Sequence, residues 1–299
     1  MGEGKGETIG HDWAGNGAGA GEAAGGSARS GAGEYDAMSD GVRIAVGDGV
    51  LRVTFEKPES LNAVNTDMLR TVEHALRRHE TDENVRAVVF SGEGRGFCSG
   101  IDLAGHSPGV EPEVLETASE MVDAANAVIA AIRRFPTPVI AVTQGPVAGV
   151  GVSLALVCDL VVCADDAYFM LTFTRIGLMP DGGATALVAA SIGRARAMRL
   201  ALLAPRISAA EAAEWGLVSM VVPATELEQA ADDVVRQILD GPAVAFKETK
   251  FAVNEATLGS LENALRYERA GQARLMRTAD LAEGVAAFTE KRAPKFNGR

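Results

Sequence analysis

Gly92–Leu103, reading GEGRGFCSGIDL, and Gly145–Ser153, reading GPVAGVGVS, are the two stretches on which the reading of this chain turns. Each follows an apolar, β-branched run, Ala87–Phe90 (AVVF) and Val139–Thr143 (VIAVT). A run of that kind reads as a buried strand, and the glycines after it read as a turn that leaves the end of the sheet. Backbone N–H groups in such turns can stay unpaired and point outward. Two turns of this kind side by side would grip one oxygen. Converging peptide donors stabilise an oxygen that gains negative charge, and losing one donor typically costs about 3–4 kcal/mol of transition-state stabilisation.

Working outward, Val42–Val46 and Val50–Phe55 flank a Gly-Asp-Gly turn and read as a hairpin. Met68, Leu69, Val72 and Leu76 recur at helical spacing and predict a helix over about 66–80, before a strand at 86–91. After the polar, irregular piece 104–112 comes a helix of about twenty residues, which must stop before Phe135-Pro136. Strand, glycine turn and helix then repeat over 139–157, with another strand at 159–164. Past Pro180 the pattern turns helical: 183–192, 194–203, a helix capped by Ser208, a short strand at 217–222, then 225–239, 242–257 and two closing helices to Thr289. This rhythm defines an α/β chain. Periodicity alone allows either a doubly wound sheet or the stacked turns of a spiral.

Residues 1–37 are Gly, Ala, Glu and Ser with almost no apolar periodicity, so a disordered tail is expected there. The expected organisation is a tail over 1–37, a core over 38–225 and a helical region over 226–299. At 299 residues and 47% hydrophobic content, the chain is long enough to bury a full core. Neither a membrane span nor a signal peptide is supported, and a cytoplasmic protein is expected. Cys98, Cys158 and Cys163 are odd in number and lack metal-ligand spacing, so buried free thiols are expected, with no metal site. A net charge of −12 argues against a nucleic-acid surface.

The segment FCSGIDL, together with Gly145–Asp159, resembles the two signatures of the crotonase (enoyl-CoA hydratase/isomerase) superfamily. The similarity continues through Leu61–Ala63, Arg175–Gly183, Ala209–Val218 and Phe288–Arg292, covering about residues 41–297. It implies a crotonase-like ββα superhelix with a C-terminal helical region, trimers often stacked as hexamers, and an acyl-CoA substrate of the kind met in fatty-acid β-oxidation. No separate cofactor is implied, because coenzyme A belongs to the substrate. The positions that match the family's oxyanion donors are the backbone N–H groups of Ile101 and Val150. Substrate contacts are implied around the first turn at Ser99, Gly100, Asp102 and Leu103, with Asn62 and Ala63 beside it. Around the second turn they are implied at Gly149, Ser153 and Phe173. Lys57, Phe288 and Lys291 match positions near the coenzyme A moiety.

Family members that hydrate enoyl-CoA carry two glutamates, and here Ser153 and Phe173 stand at those positions. Adding water across a C2=C3 bond needs one group to take a proton and another to give one. A phenyl ring does neither, and an unactivated serine hydroxyl is a poor base. Asp181, in MPDGG, is a carboxylate matching the acid/base of some family isomerases; spacing alone favours a turn or helix-capping residue instead. One carboxylate suffices to move a proton between C2 and C4, so Δ3/Δ2-enoyl-CoA isomerisation is expected. Hydration of reduced or atypical kind, and acyl-CoA binding without catalysis, are the alternatives. Asp102 reads as a turn cap, His106 as a loop histidine, and Ser153 lacks the context of a hydrolase nucleophile.

Overall fold

The computed structural model describes residues 34–39, 41–102 and 112–298, which pack as one unit. Asp48 and Gly49 both adopt positive φ, 51° and 79°, the geometry of a two-residue turn whose twist matches its strands. That turn pairs β2 (Val42–Gly47) with β3 (Val50–Phe55), Gly47 opposite Val50. Asn65 then starts α1 (Thr66–His79), its side chain accepting from the Met68 N–H at 2.9 Å. The expected apolar face of this helix, Met68, Leu69, Val72 and Leu76, is fully buried. Each such side chain contributes about 1.5–3 kcal/mol as an upper figure.

The remaining elements repeat a strand, a tight turn and a helix. They are β4 (Ala87–Gly92), α2 (Pro112–Arg134), β5 (Val139–Thr143), β6 (Pro146–Ala148), α3 (Val150–Leu156), β7 (Leu160–Ala164) and β8 (Tyr168–Met170). Then follow α4 (Ala184–Leu203), β9 (Ile207–Ser208), α5 (Ala209–Trp215) and β10 (Met220–Val222). The chain closes with α6 (Leu227–Asp240), α7 (Ala243–Leu258), α8 (Leu261–Leu275) and α9 (Ala279–Thr289). A strand β1 (Glu34–Ser39) precedes them and pairs antiparallel with β2. Its first four residues fall inside the stretch expected to be tail; backbone pairing to a hairpin edge asks little of side-chain composition, which is why composition missed it.

One sheet has the order β1-β2-β3-β4-β5-β7-β10, parallel from β3 onward. A second, small sheet has the order β6-β8-β9. Isolated parallel bridges, Val64 with Ile101 and Cys98 with Val147, extend this second layer backward through the glycine turns. Each turn of the chain thus lays one strand in the large sheet and one short piece in the second layer, which is the ββα spiral rather than a doubly wound sheet. Both faces of the parallel strands are covered, so their sequences are continuously apolar. Val88, Phe90, Val139 and Ala141 face the main core, while Ala87, Val89, Ile140 and Val142 face Leu227, Ala231 and Val235 of α6.

The helical break expected at Gly193 is present: α4 kinks there, at φ 76° and ψ 163°. Ser208 and Glu211 form a reciprocal cap at the start of α5. All three cysteines are free and buried, and burial pushes the Cys98 thiol up to about 12. No helix among the described residues is long and apolar enough to cross a membrane.

Candidate active site

The two glycine turns meet. Phe97 donates its N–H to Gln144 O (2.9 Å), Cys98 to Pro146 O (3.2 Å), and Ala148 donates back to Cys98 O (2.9 Å). This pairing continues to Gly100, whose φ is 111° and where an added Cβ would lie 3.3 Å from Ala148 O and 3.6 Å from Gly149 Cα. Gly149 has φ 54° and ψ −128°, a conformation that side chains resist, and its N–H is taken by Met170 O at 3.0 Å.

The two expected donors lie on either side of this contact. In the bridge to Val64, Val64 donates to Gly100 O and Asp102 donates to Val64 O, both at 2.9 Å. Alternation along a parallel strand therefore turns the Ile101 N–H away from Val64. Val150 is the first residue of α3, where the helix supplies no acceptor for the N–H. Neither N–H donates to a backbone carbonyl among the described residues.

Asn62 fastens the first turn from behind. It is fully buried with φ 58°; its Oδ1 accepts from the Lys57 N–H (2.8 Å), and its Nδ2 donates to Glu93 O (2.9 Å) and Gly96 O (2.7 Å). Its amide is thus spent on backbone, and it acts on the turn. Ser99 likewise donates its hydroxyl to Ser60 O (2.9 Å), and Ala63 is buried beside it. Lys57 Nζ lies 3.2 Å from Asp102 Oδ2, so the ammonium expected to face coenzyme A is paired within the protein. Leu103 and His106 lie outside the described residues.

Asp181 sits against the second turn. It is 6 % exposed, and its backbone carbonyl accepts from the Ser153 hydroxyl at 2.8 Å. An added Cβ on the next residue, Gly182, would lie 3.1 Å from both Val150 Cγ2 and Ser153 Cβ at a φ of 63°, so a side chain there would be both strained and crowded against α3. Burial lifts the Asp181 carboxyl to about 7, a hydrogen bond from Gln272 opposes the rise, and the nearby Glu268 charge adds to it. Phe173, in a short 3-10 turn at Thr172–Ile176, is buried and supplies no proton-transfer group.

Two residues in this neighbourhood escaped the sequence reading. Glu268, 1 % exposed, accepts from the N–H groups of Gly183 (2.7 Å) and Thr185 (3.0 Å) and so holds the start of α4. Gln272, also 1 % exposed, donates Nε2 to Asp181 Oδ2 (2.7 Å) and to Met179 O (2.9 Å). Their signal was present: α8 buries Leu261, Leu265, Glu268 and Gln272 on one stripe, and two polar residues on an apolar stripe need partners.

Phe288 and Lys291 stand exposed at the end of α9, which backs on the 172–176 turn through Gly284 and Ile176. A cavity of about 410 Å³ between α4, α6 and α7 includes none of the expected site residues. Among the described residues no cluster of His, Cys, Asp and Glu could hold a metal ion.

A ββα spiral whose glycine turns pair beside a buried carboxylate defines a crotonase-type protein. The family model "Enoyl-CoA hydratase/isomerase" matches residues 45–299, and the chain belongs to that family. It is 39% identical over 86% of its length to a probable enoyl-CoA hydratase of Rhodobacter capsulatus, covering 98% of that protein. It is 36% identical over 84% of its length to the 1,2-epoxyphenylacetyl-CoA isomerase of Escherichia coli, covering 96% of it. The crystal structure of an enoyl-CoA hydratase from Mycobacterium avium subsp. paratuberculosis K-10 matches with a TM-score of 0.80 at 46% identity, over 86% of this chain and 98% of that one.

Proposed function

We propose that this protein moves a double bond within an acyl-CoA thioester, converting a 3-enoyl to a 2-enoyl chain, with Asp181 as the acid/base. The observation that carries this reading is the buried Asp181 fixed against the helix that begins at Val150, through the Ser153 hydroxyl on its carbonyl and the contact of Gly182 with Val150. The ionised carboxylate takes a proton from C2. The C2 electron pair delocalises through the thioester carbonyl, whose oxygen accepts from the N–H groups of Ile101 and Val150. The new carboxylic acid then returns the proton to C4, and the C3=C4 bond becomes C2=C3.

A carboxyl lifted to about 7 suits both halves, since it is a stronger base than an ordinary aspartate and still a usable acid near neutrality. Support also comes from a relative named for an enoyl thioester isomerisation, the trans-2-decenoyl-[acyl-carrier-protein] isomerase of Streptococcus mutans, 30% identical over 85% of this chain and 97% of that protein. Lys57, Phe288 and Lys291 are proposed to approach coenzyme A, Lys57 doing so while paired to Asp102.

Hydration is the second reading, favoured by the 46%-identical Mycobacterium avium structure being that of an enoyl-CoA hydratase. Against it, the Ser153 hydroxyl is engaged on a carbonyl and Phe173 is a hydrocarbon. Assaying 3-enoyl-CoA and 2-enoyl-CoA with the wild type and Asp181→Asn separates the possibilities. Isomerisation that the variant loses supports the proposal. Water addition that the variant keeps supports hydration, and tight binding without turnover marks a non-catalytic binder.

A homotrimer or homohexamer is also proposed. Met198, Leu202 and Leu203 on α4 and Val244, Phe251 and Val253 on α7 are exposed apolar residues of the kind that subunit contacts cover. Light scattering should give the mass of three or six chains, and a monomer would contradict this.

A further inference from the structure

Helix α8 presents Gln272 to the carboxylate just described. The orientation of its amide is set by chemistry alone. Met179 O can only accept, so the nitrogen, not the oxygen, must face it, and the same Nε2 reaches Asp181 Oδ2. Gln272 Oε1 is buried and has no partner among the described residues, so nothing pulls the amide toward the flipped arrangement. Gly271 makes the approach possible: a Cβ there would fall 2.2 Å from Met179 Sδ.

We propose that Gln272 is a positioning residue for Asp181: a donor locked by the Met179 carbonyl, it holds Oδ2 and leaves Oδ1 as the oxygen that carries the proton between C2 and C4. The inference rests on Asp181 being the acid/base. Among the described residues no hydrogen bond is made to Oδ1. A locked donor stabilises the ionised carboxylate and cannot accept from the protonated one, so it counteracts burial and the charge of Glu268. The other groups packed on Asp181 are neutral: the Ser153 hydroxyl from α3, and the glycines that lead into α4. Without Gln272, Asp181 would remain protonated through neutral pH.

The test compares pH profiles of kcat/KM for 3-enoyl-CoA isomerisation in the wild type, Gln272→Met and Gln272→Glu, with Asp181→Asn alongside. Methionine keeps the volume and removes the donor. The acid limb, near pH 7 in the wild type, should move up by about one unit in Gln272→Met, giving about a tenfold loss below the limb and recovery above it. Gln272→Glu keeps the side-chain length and should shift the limb the same way, since a second carboxyl disfavours ionisation of the first. Should Gln272→Met not fold, the Glu variant and a carbon-13 carboxyl titration of its Asp181 decide.

A lowered plateau with the limb unmoved would mean a merely structural role and would overturn the inference. Activity surviving in Asp181→Asn would overturn the reading of Asp181 itself, whatever the Gln272 variants do.

Discussion

The Ser153 hydroxyl donates to the backbone carbonyl of Asp181 at 2.8 Å, tying the helix after the second glycine turn to the carboxylate's own peptide. That carbonyl also accepts from the Ala184 N–H at 3.2 Å, so removing the hydroxyl does not orphan it. Ser153→Ala should cost about 1 kcal/mol of stability and leave turnover within about tenfold. Denaturant melts and steady-state kinetics check this; complete loss of activity in a folded variant would give Ser153 a chemical role instead.

Asp181 should also make stability depend on pH. Its carboxyl titrates near 3.8 in the unfolded chain and about 7 in the folded one, because burial disfavours its charge. The native state therefore holds that proton more tightly, a contribution fully present below the unfolded value and lost as pH rises through about 7, with a ceiling of about 4 kcal/mol. Asp181→Asn removes the dependence and should gain on the wild type as pH rises from about 4 to about 7. Parallel stability curves across that range would show that the carboxyl is not buried as described.

Gly149 holds φ 54° and ψ −128°, with the space for a Cβ bounded by Thr172 Oγ1 at 3.3 Å and Gly100 Cα at 3.4 Å. Gly149→Ala should cost about 1–3 kcal/mol in strain. By displacing the Val150 N–H it should lower kcat about 10²-fold or more. A variant that melts lower and turns over normally would show that this N–H does not meet the developing charge.

Away from the site, Lys250 Nζ lies 2.7 Å from Asp159 Oδ2 and donates to Ile132 O and Thr137 O, both at 3.2 Å. Burial alone would raise Asp159 and lower Lys250, and each opposes that shift in the other. Lys250→Met leaves a buried carboxylate without its cation and should destabilise by about 3–5 kcal/mol with activity per folded molecule unchanged. Urea melts paired with kinetics test both halves.

The parts of the fold legible in the sequence were those where periodicity or turn chemistry acts within a few residues. The Asp48-Gly49 hairpin, the apolar face of α1, the break at Gly193 and the cap at Ser208 are of this kind. The second sheet was not legible, because β6, β8 and β9 are two or three residues long and show no alternation. Within the site, the glycine turns announced themselves through their strands, whereas Asp181 stood out by its match to a family position, its turn alone pointing to a cap. Glu268 and Gln272 sit more than eighty residues beyond Asp181 in the chain. No local pattern connects them to it, only polar residues placed on an otherwise apolar helical stripe.

The most direct test follows the proton itself. The enzyme is given 3-enoyl-CoA deuterated at C2, and the 2-enoyl product is examined by NMR for label at C4, in the wild type and in Asp181→Asn. If one buried carboxyl both takes and returns the proton, part of the label appears at C4 and the variant loses turnover by about 10³-fold or more. Unshifted 3-enoyl-CoA that keeps its label at C2, or turnover that Asp181→Asn retains, would contradict a carboxylate shuttle beneath the paired glycine turns.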